Sequence, residues 1–379
     1  MTWCAASSLK ISICFNGSTD EILKNTINAS MAVQRKLSDY PFPESEWINY
    51  RIDQEINDRG VAIDMNLVNN ANSIIKDNGL GKSLKLKKYS AMPSVVCSDG
   101  RARGLFLFYG AARTGRFSGR YIQPHNLPRT HSANLDDLRK RLAVGDKTLS
   151  EHNLAELIRT VFVPKNGCRF IVADFSSIEA RVLAWLSEES WKIDAFRNEQ
   201  DVYCITSSKI FGKPVIKGGI NSELRDIGKK LELTLGYGGT ANALKASGLV
   251  DMGIAESELK NIVQKWNAEN SNIVKYWSDV NHAFMSVILD KKVTNCECTV
   301  GKVKFVWHGK SKIVAVILPS GRLLIYQNPF ISKQKFGPHI AYYEGDKIKH
   351  ASAATLVQHI VQGTARDILT DSIRRLTKS

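Results

Sequence analysis

The chain has 379 residues, 43% hydrophobic and 23% charged, with 52 Lys and Arg against 37 Asp and Glu, a net charge of +15 and a pI near 9.4. This composition excludes a disordered or fibrous chain and allows two or three subdomains, and the basic excess points to a polyanionic partner, nucleic acid first. Seven scattered cysteines exclude a disulfide framework and fit a reducing, cytoplasmic setting, and no apolar run is long enough for a membrane span.

Residues 1–46 are mixed and read as a connector, with no signal-peptide pattern at their start. From Glu44 to Leu80 the pattern predicts two helices broken at Arg59-Gly60, followed by the lysine-dense "GKSLKLKKYS". "LFYGAARTGRFSGRYIQPHNLPR" is rich in Gly, Arg and Pro and reads as an irregular loop with strand edges, and the stretch from Leu135 to Phe162 as helical. Phe170–Ala173 reads as a buried strand that ends at Asp174, after which Ile178, Val182, Leu183 and Leu186 recur at helical spacing. Residues 187–290 are largely helical; "SKIVAVILPSGRLLIYQNP" is strand, Pro-Ser-Gly turn, strand; and one long helix closes the chain. Strands on either side of a helical block predict an α+β layout with a sheet assembled from distant segments. Cys296 and Cys298 form a lone C-x-C pair, a weak pattern for zinc.

In "RDIGKKLELTLGYGG", Arg225, Lys229, Leu233 and Tyr237 recur every fourth residue and drift from 0° to about 120° around a helix. Leu224, Ile227, Leu231 and Leu235 fall between about 200° and 280°, a back that can bury against a core. Two fixed cations on the opposite front suit a phosphate chain, and Tyr237-Gly238-Gly239 offers a flat ring that a base could meet. The plain alternative is a solvated Arg/Lys face with a glycine stop. Asp174 has its own plain reading as an N-cap, shared with Ser176 or Ser177, and Glu179 as a solvated helix residue.

Together, "DFSSIEARVL" and the R-x3-K-x7-YG spacing resemble the palm and fingers motifs of the family A DNA polymerases, of bacterial repair and phage replicase type. "TGRFSGRYIQPHNLPR" is similar to that family's minor-groove loop and "DVYCITSSKIFG" to a segment near the triphosphate. "ILPSGRLLIY" is similar to a palm hairpin of the phage branch and "HIVQGTARDIL" to the helix with a minor-groove Gln, so the resemblance spans residues 45–379. It implies a right-hand fold: connector 1–46, thumb 47–105, palm 106–195, fingers 196–292 and palm again 293–379. It also implies template-directed addition of dNMP to a primer 3′ end with two Mg²⁺ ions.

By the same resemblance, Asp174 and the carbonyl of Phe175 are metal ligands, and Asp174 and Lys229 are catalytic. Arg225 and Lys229 hold the β- and γ-phosphates, and Glu179 is the steric gate against a 2′-hydroxyl. Ser177, Tyr203 and Leu233 border the dNTP, and Tyr237 stacks at the templating site. Arg116, Asn126 and Gln362 read acceptors common to all base pairs. Arg129, Arg181, His359, Arg366 and the tip lysines Lys82, Lys85, Lys87 and Lys88 contact DNA. On the last helix, Leu356, Val357, Ile360, Val361, Ile368 and Leu369 are expected to form the buried stripe, with His359, Gln362 and Arg366 free to face DNA.

Two departures stand out. Leu233 occupies a position where many members of that family carry an aromatic ring. No His-Asp pair follows the last helix, so the carboxylate expected to act with Asp174 is missing, and there is no room upstream for an exonuclease domain. The expectation is therefore a truncated polymerase with an incomplete palm sheet, impaired alone, for which a second polypeptide could supply the hairpin. Losing that hairpin should expose a sheet edge and an apolar face of the last helix. The alternative is an inactive remnant that only binds primer–template. A single-subunit RNA polymerase is disfavoured by Glu179.

Overall fold

A computed structural model describes residues 27–32, 35, 43–128, 130–290, 296–334 and 337–377, with the side chains of 333–338 left aside. The chain divides into two units, one of residues 41–174 with 372–379 and one of residues 175–371 with 1–40, the division falling between Asp174 and Phe175.

In the first unit, α1 (Glu44–Arg59) stops at Gly60, as the sequence predicts. Gly60 has φ +58°, and a Cβ there would strike the Ala102 carbonyl oxygen, so only glycine turns the chain into the next strand. That strand, β1 (Val61–Ile63), is the centre of a small antiparallel sheet between β2 (Arg101–Ala102) and β5 (Phe162–Val163). Asp64 caps α2 (Met65–Asp77) by accepting from the Leu67 amide, and Leu67, Val68, Ala71 and Ile74 bury its inner face. A short helix, α3 (Lys87–Ala91), supplies Tyr89, whose buried hydroxyl donates to the Leu154 carbonyl. The stretch expected as an irregular loop with strand edges forms the hairpin β3 (Phe106–Ala111) and β4 (Arg116–Gly119), then irregular chain with a 3₁₀ turn at Pro124–Asn126. Asn57 pins that hairpin to α1 by accepting from the Phe106 amide and donating to its carbonyl. α4 (Leu135–Ala143) and α5 (Glu151–Leu157) complete the core, the latter started by a Ser150–Asn153 capping box.

The strand expected at Phe170–Ala173 does not form. Residues 168–175 are irregular, and Ile171 and Val172 are 87% and 89% exposed. A strand exists only within a ladder, and among the described residues no segment runs alongside this one. Phe170 and Val172 instead line a groove of about 490 Å³ with Ile56, Leu105, Leu127 and Phe162.

The second unit opens with helices α6 (Ile178–Ser187), α7 (Ser190–Arg197), α8 (Val202–Phe211), α9 (Leu224–Leu235), α10 (Ala241–Ala246), α11 (Leu259–Glu269) and α12 (Ser271–Leu289). Six strands follow: β6 (Glu297–Val300), β7 (Val303–His308), β8 (Ile313–Ile317), β9 (Leu323–Gln334), β10 (Gly337–Glu344) and β11 (Lys347–Ala351). Each pairs antiparallel with its sequence neighbour. The small sheet of the first unit does join distant segments, whereas for this sheet the expectation of an assembly from distant segments is corrected. Short turns close each pair at little entropic cost, so a local meander forms. The Pro-Ser-Gly turn lies between β8 and β9 as predicted.

α12 packs on the sheet through Ala283, Phe284 and Val287, and α13 (Ala353–Leu376) through Leu356, Val357, Ile360 and Val361. Ile368 and Leu369, expected in that stripe, are instead exposed at 38% and 39%, because the buried face carries Gly363, Thr364, Arg366 and Thr370 there. No described helix is long and apolar enough to cross a membrane.

Candidate nucleotide and nucleic-acid site

Ser177 holds the N-cap position of α6 at φ +54°, a left-handed conformation costing roughly 1–3 kcal/mol in a residue with a side chain. No side chain caps this helix, which sets aside the capping reading of Asp174. The Ser177 hydroxyl lies 2.9 Å from the Tyr203 hydroxyl on α8 instead. The Asp174 carboxylate is exposed and has no hydrogen-bond or ion-pair partner among the described residues.

One turn into α6, Glu179 gathers two residues from distant parts of the chain. Its Oε2 accepts from the Tyr237 hydroxyl at 2.6 Å, just past the end of α9, and its Oε1 accepts from Gln362 Nε2 on α13 at 3.3 Å. It is half-buried and bonded, not the solvated helix residue of the plain reading.

α9 has the two faces the sequence predicts. Ile227, Leu231 and Leu235 are buried, while Leu233 is 54% exposed. Arg225 is fixed by Asp201, whose Oδ2 accepts from its Nε at 2.7 Å and whose Oδ1 caps α8 at the Tyr203 and Cys204 amides. The guanidinium lies 5.3 Å from the centre of the Tyr203 ring, and the Asp201 carboxylate holds its pKa above the usual arginine value. The Arg225 Nη1 lies 4.0 Å from the exposed Asp226 carboxylate. Lys229, half-buried one turn on, has no ion-pair partner among the described residues.

Gly228 makes this packing possible. A Cβ at that position would run into the Tyr203 carbonyl oxygen and the Ser207 hydroxyl. Gly228→Ala is therefore expected to destabilise by roughly 1–3 kcal/mol, since a backbone oxygen cannot rotate away; the ~1 kcal/mol that alanine adds in helix propensity does not offset it. A thermal melt of the variant checks this.

Sequence reasoning missed four anchoring residues. Asp201 was legible only as an N-cap before α8. Lys192 and Glu232 form a buried pair at 2.6 Å. On α13, Asp367 accepts from Arg322 Nε at 2.6 Å and from the Ser320 hydroxyl, tying the β8–β9 turn to the last helix.

The polar stripe of α13 is not free, as the sequence reading had it. Arg366 is buried, 3% exposed, with Nη1 3.3 Å from Asp367. His359 Nδ1 lies 2.9 Å from the Tyr326 hydroxyl, and Gln362 is bonded to Glu179. The long cationic and amide side chains find acceptors within the unit. Arg181 is exposed but folds back, donating to the Ser176 carbonyl and stacking 4.4 Å from the Phe196 ring centre. In the first unit Arg116, Asn126, Lys82, Lys85 and Lys87 are exposed, and Lys88 donates to Gln123 at 3.2 Å. Arg129 lies outside the described residues.

Among the described residues no group of three His, Cys, Asp or Glu side chains could hold a metal ion. Asp174 and the Phe175 carbonyl are hard oxygen donors of the kind Mg²⁺ takes, but they fall short of the ligands two ions need. Cys296 sits 3.7 Å from Asp290 and joins no such group.

In the second unit Glu179, Tyr237 and Gln362 thus meet, beside the helix that carries Arg225 and Lys229. The model of the DNA polymerase family A matches residues 69–304, and the chain belongs to that family. It is similar to the DNA polymerase of Bacillus phage SP02, 34% identical, with 92% of this chain and 65% of that protein covered. It is also similar to DNA polymerase I of Caldicellulosiruptor bescii, 31% identical over 36% of this chain and 16% of that protein. The POL domain of Pol1 from M. smegmatis, in complex with DNA primer-template and dNTP, is a further match at TM-score 0.49 and 20% identity, covering 76% of this chain and 40% of that one. The chain thus spans about two thirds of the phage relative and a small part of the bacterial one.

Proposed function

We propose that the chain is a DNA-directed DNA polymerase domain that adds dNMP to a primer 3′ end on a template. The observation that carries this reading is the meeting of Tyr237 and Gln362 on the Glu179 carboxylate, with Arg225 and Lys229 on the helix that leads to Tyr237. In this reading Arg225 and Lys229 grip the β- and γ-phosphates, and Lys229 aids the leaving pyrophosphate. Tyr203 and Ser177 line the triphosphate side, and exposed Leu233 gives the incoming base an aliphatic surface. Tyr237 borders the templating base.

Arg116, Asn126 and Gln362 would test pairing in the minor groove, and the lysine tip, with Arg129, Arg181 and His359, would contact DNA. Arg366 is assigned to holding α13 instead, because it is buried. The setting we propose is the cytoplasm of a bacterial or phage-infected cell, in keeping with the phage and bacterial sources of the relatives.

Asp174 and Phe175 would contribute oxygens toward Mg²⁺, and a further carboxylate is needed beside them. A second polypeptide carrying it is the partner we propose. The same shortfall among the described residues favours a second reading, in which the chain binds primer–template without extending it. Primer extension with Mg²⁺ and four dNTPs, run beside a DNA-binding titration, separates the two. Extension supports the enzyme, binding alone supports the second reading, and neither would sink both.

Glu179→Ala is expected to lower discrimination against ribonucleotides by roughly ten- to a hundredfold, since the side chain that would meet a 2′-hydroxyl is gone. Tyr237 and Gln362 also lose their acceptor, so dNTP incorporation should fall modestly as well. Competition between rNTP and dNTP in single-nucleotide extension measures this.

A further inference from the structure

We infer that Glu232 is a positioning residue, held by Lys192, Thr206 and Trp266, that fixes the rotation of α9 and so the aim of Arg225 and Lys229 toward a nucleotide triphosphate. This rests on the polymerase reading above and names a device within the same site.

Glu232 is 6% exposed and lies at about 340° on the helix that places Arg225 at 0°, on the flank between the cationic front and the apolar back. Its Oε2 accepts from Lys192 Nζ at 2.6 Å. Its Oε1 accepts from the Thr206 hydroxyl at 2.8 Å and from the Trp266 indole at 3.0 Å. The three donors come from three other helices, α7, α8 and α11. The Lys192 ammonium is almost wholly buried, between the rings of Trp191 and Trp266 at 5.2 and 4.8 Å. Burial pulls its pKa below the usual lysine value, and the carboxylates of Glu232 and Glu189 oppose that.

Around this pair the core is apolar, with Leu231, Leu235, Ile210 and Trp266 in one cluster. Apolar side chains of similar volume would hold such a core as well or better, because a buried ion pair recovers little beyond its desolvation cost. What the pair adds is direction. Three hydrogen bonds to one carboxylate are met at a single rotation of α9, whereas leucines tolerate several. A turn of the helix by one residue would swing Arg225 and Lys229 away by about 100°. Gly228 and the Ser207 hydroxyl, which donates to the Leu224 carbonyl, set the spacing to α8, and Glu232 sets the angle.

The test uses the full chain with Lys192→Met and Glu232→Met together, and Glu232→Gln alone. It measures dNTP affinity by titration of a fluorescent dNTP and folding by thermal melt. The double variant is expected to stay folded and melt above Glu232→Ala, and yet bind dNTP at least tenfold more weakly, with primer–template affinity unchanged. Glu232→Gln, which keeps the shape and loses the charge, is expected to fall between. Wild-type affinity in a folded double variant would overturn the positioning role and leave the polymerase reading standing. Failure of both variants to fold would also overturn it, reducing the network to a structural one. Absence of dNTP binding by the wild-type chain would instead sink the polymerase reading, and this inference with it.

Discussion

Replacing Asp174 with alanine is expected to reduce primer extension by roughly 10³-fold or more while leaving fold and DNA affinity almost untouched. The side chain is exposed and has no hydrogen-bond or ion-pair partner among the described residues, and it does not cap α6. Its removal opens no cavity and strands no buried group, so the stability change should stay within about 0.5 kcal/mol. Loss of one negative charge near a polyanion leaves DNA binding equal or slightly tighter. Single-turnover extension at saturating dNTP, beside a binding titration and a melt, separates these effects. Extension at the wild-type rate would mean another group does the work assigned to Asp174. A parallel loss of folding would mean the segment carrying it is structural.

Glu232→Ala is expected to destabilise the second unit by about 3–5 kcal/mol, the range for breaking a buried pair on one side. Lys192 would be left unpaired while almost wholly buried, and Thr206 and Trp266 would each lose the acceptor they now share. Denaturant midpoints and amide exchange in α7, α9 and α11 measure the loss. The paired replacement by methionine should recover the part due to the stranded charge, while Thr206 and Trp266 still lack their acceptor. A single-variant loss under about 1 kcal/mol would mean that water or a rotated Lys192 reaches solvent. Stability and dNTP binding are thus expected to part company at this one network. The single substitution costs folding, and the double costs aim.

By itself the sequence determined the features that repeat locally. The break at Arg59-Gly60, the Pro-Ser-Gly turn between β8 and β9 and the two-faced α9 each follow from spacing and turn chemistry within a dozen residues. The family was legible for a similar reason, since its motifs are short and keep their order along the chain. Glu179, Tyr237 and Gln362 were singled out in this way, although nothing in their spacing says that they touch.

Only the tertiary structure decided the partners. Arg366 reads as one more exposed cation at helical spacing, yet it is buried beside Asp367, because the turn at Ser320–Arg322 comes to lie against α13. Phe170–Ala173 has a strand's composition and no strand's structure, because a ladder needs a neighbour that the segment cannot carry within itself. Glu232 left a faint trace, a charge bordering an apolar face, but its three donors stand 26 to 40 residues away. Periodicity reports which face of an element is wet. The acceptor a buried donor will meet is set by how elements far apart in sequence pack, and a local pattern does not hold that information.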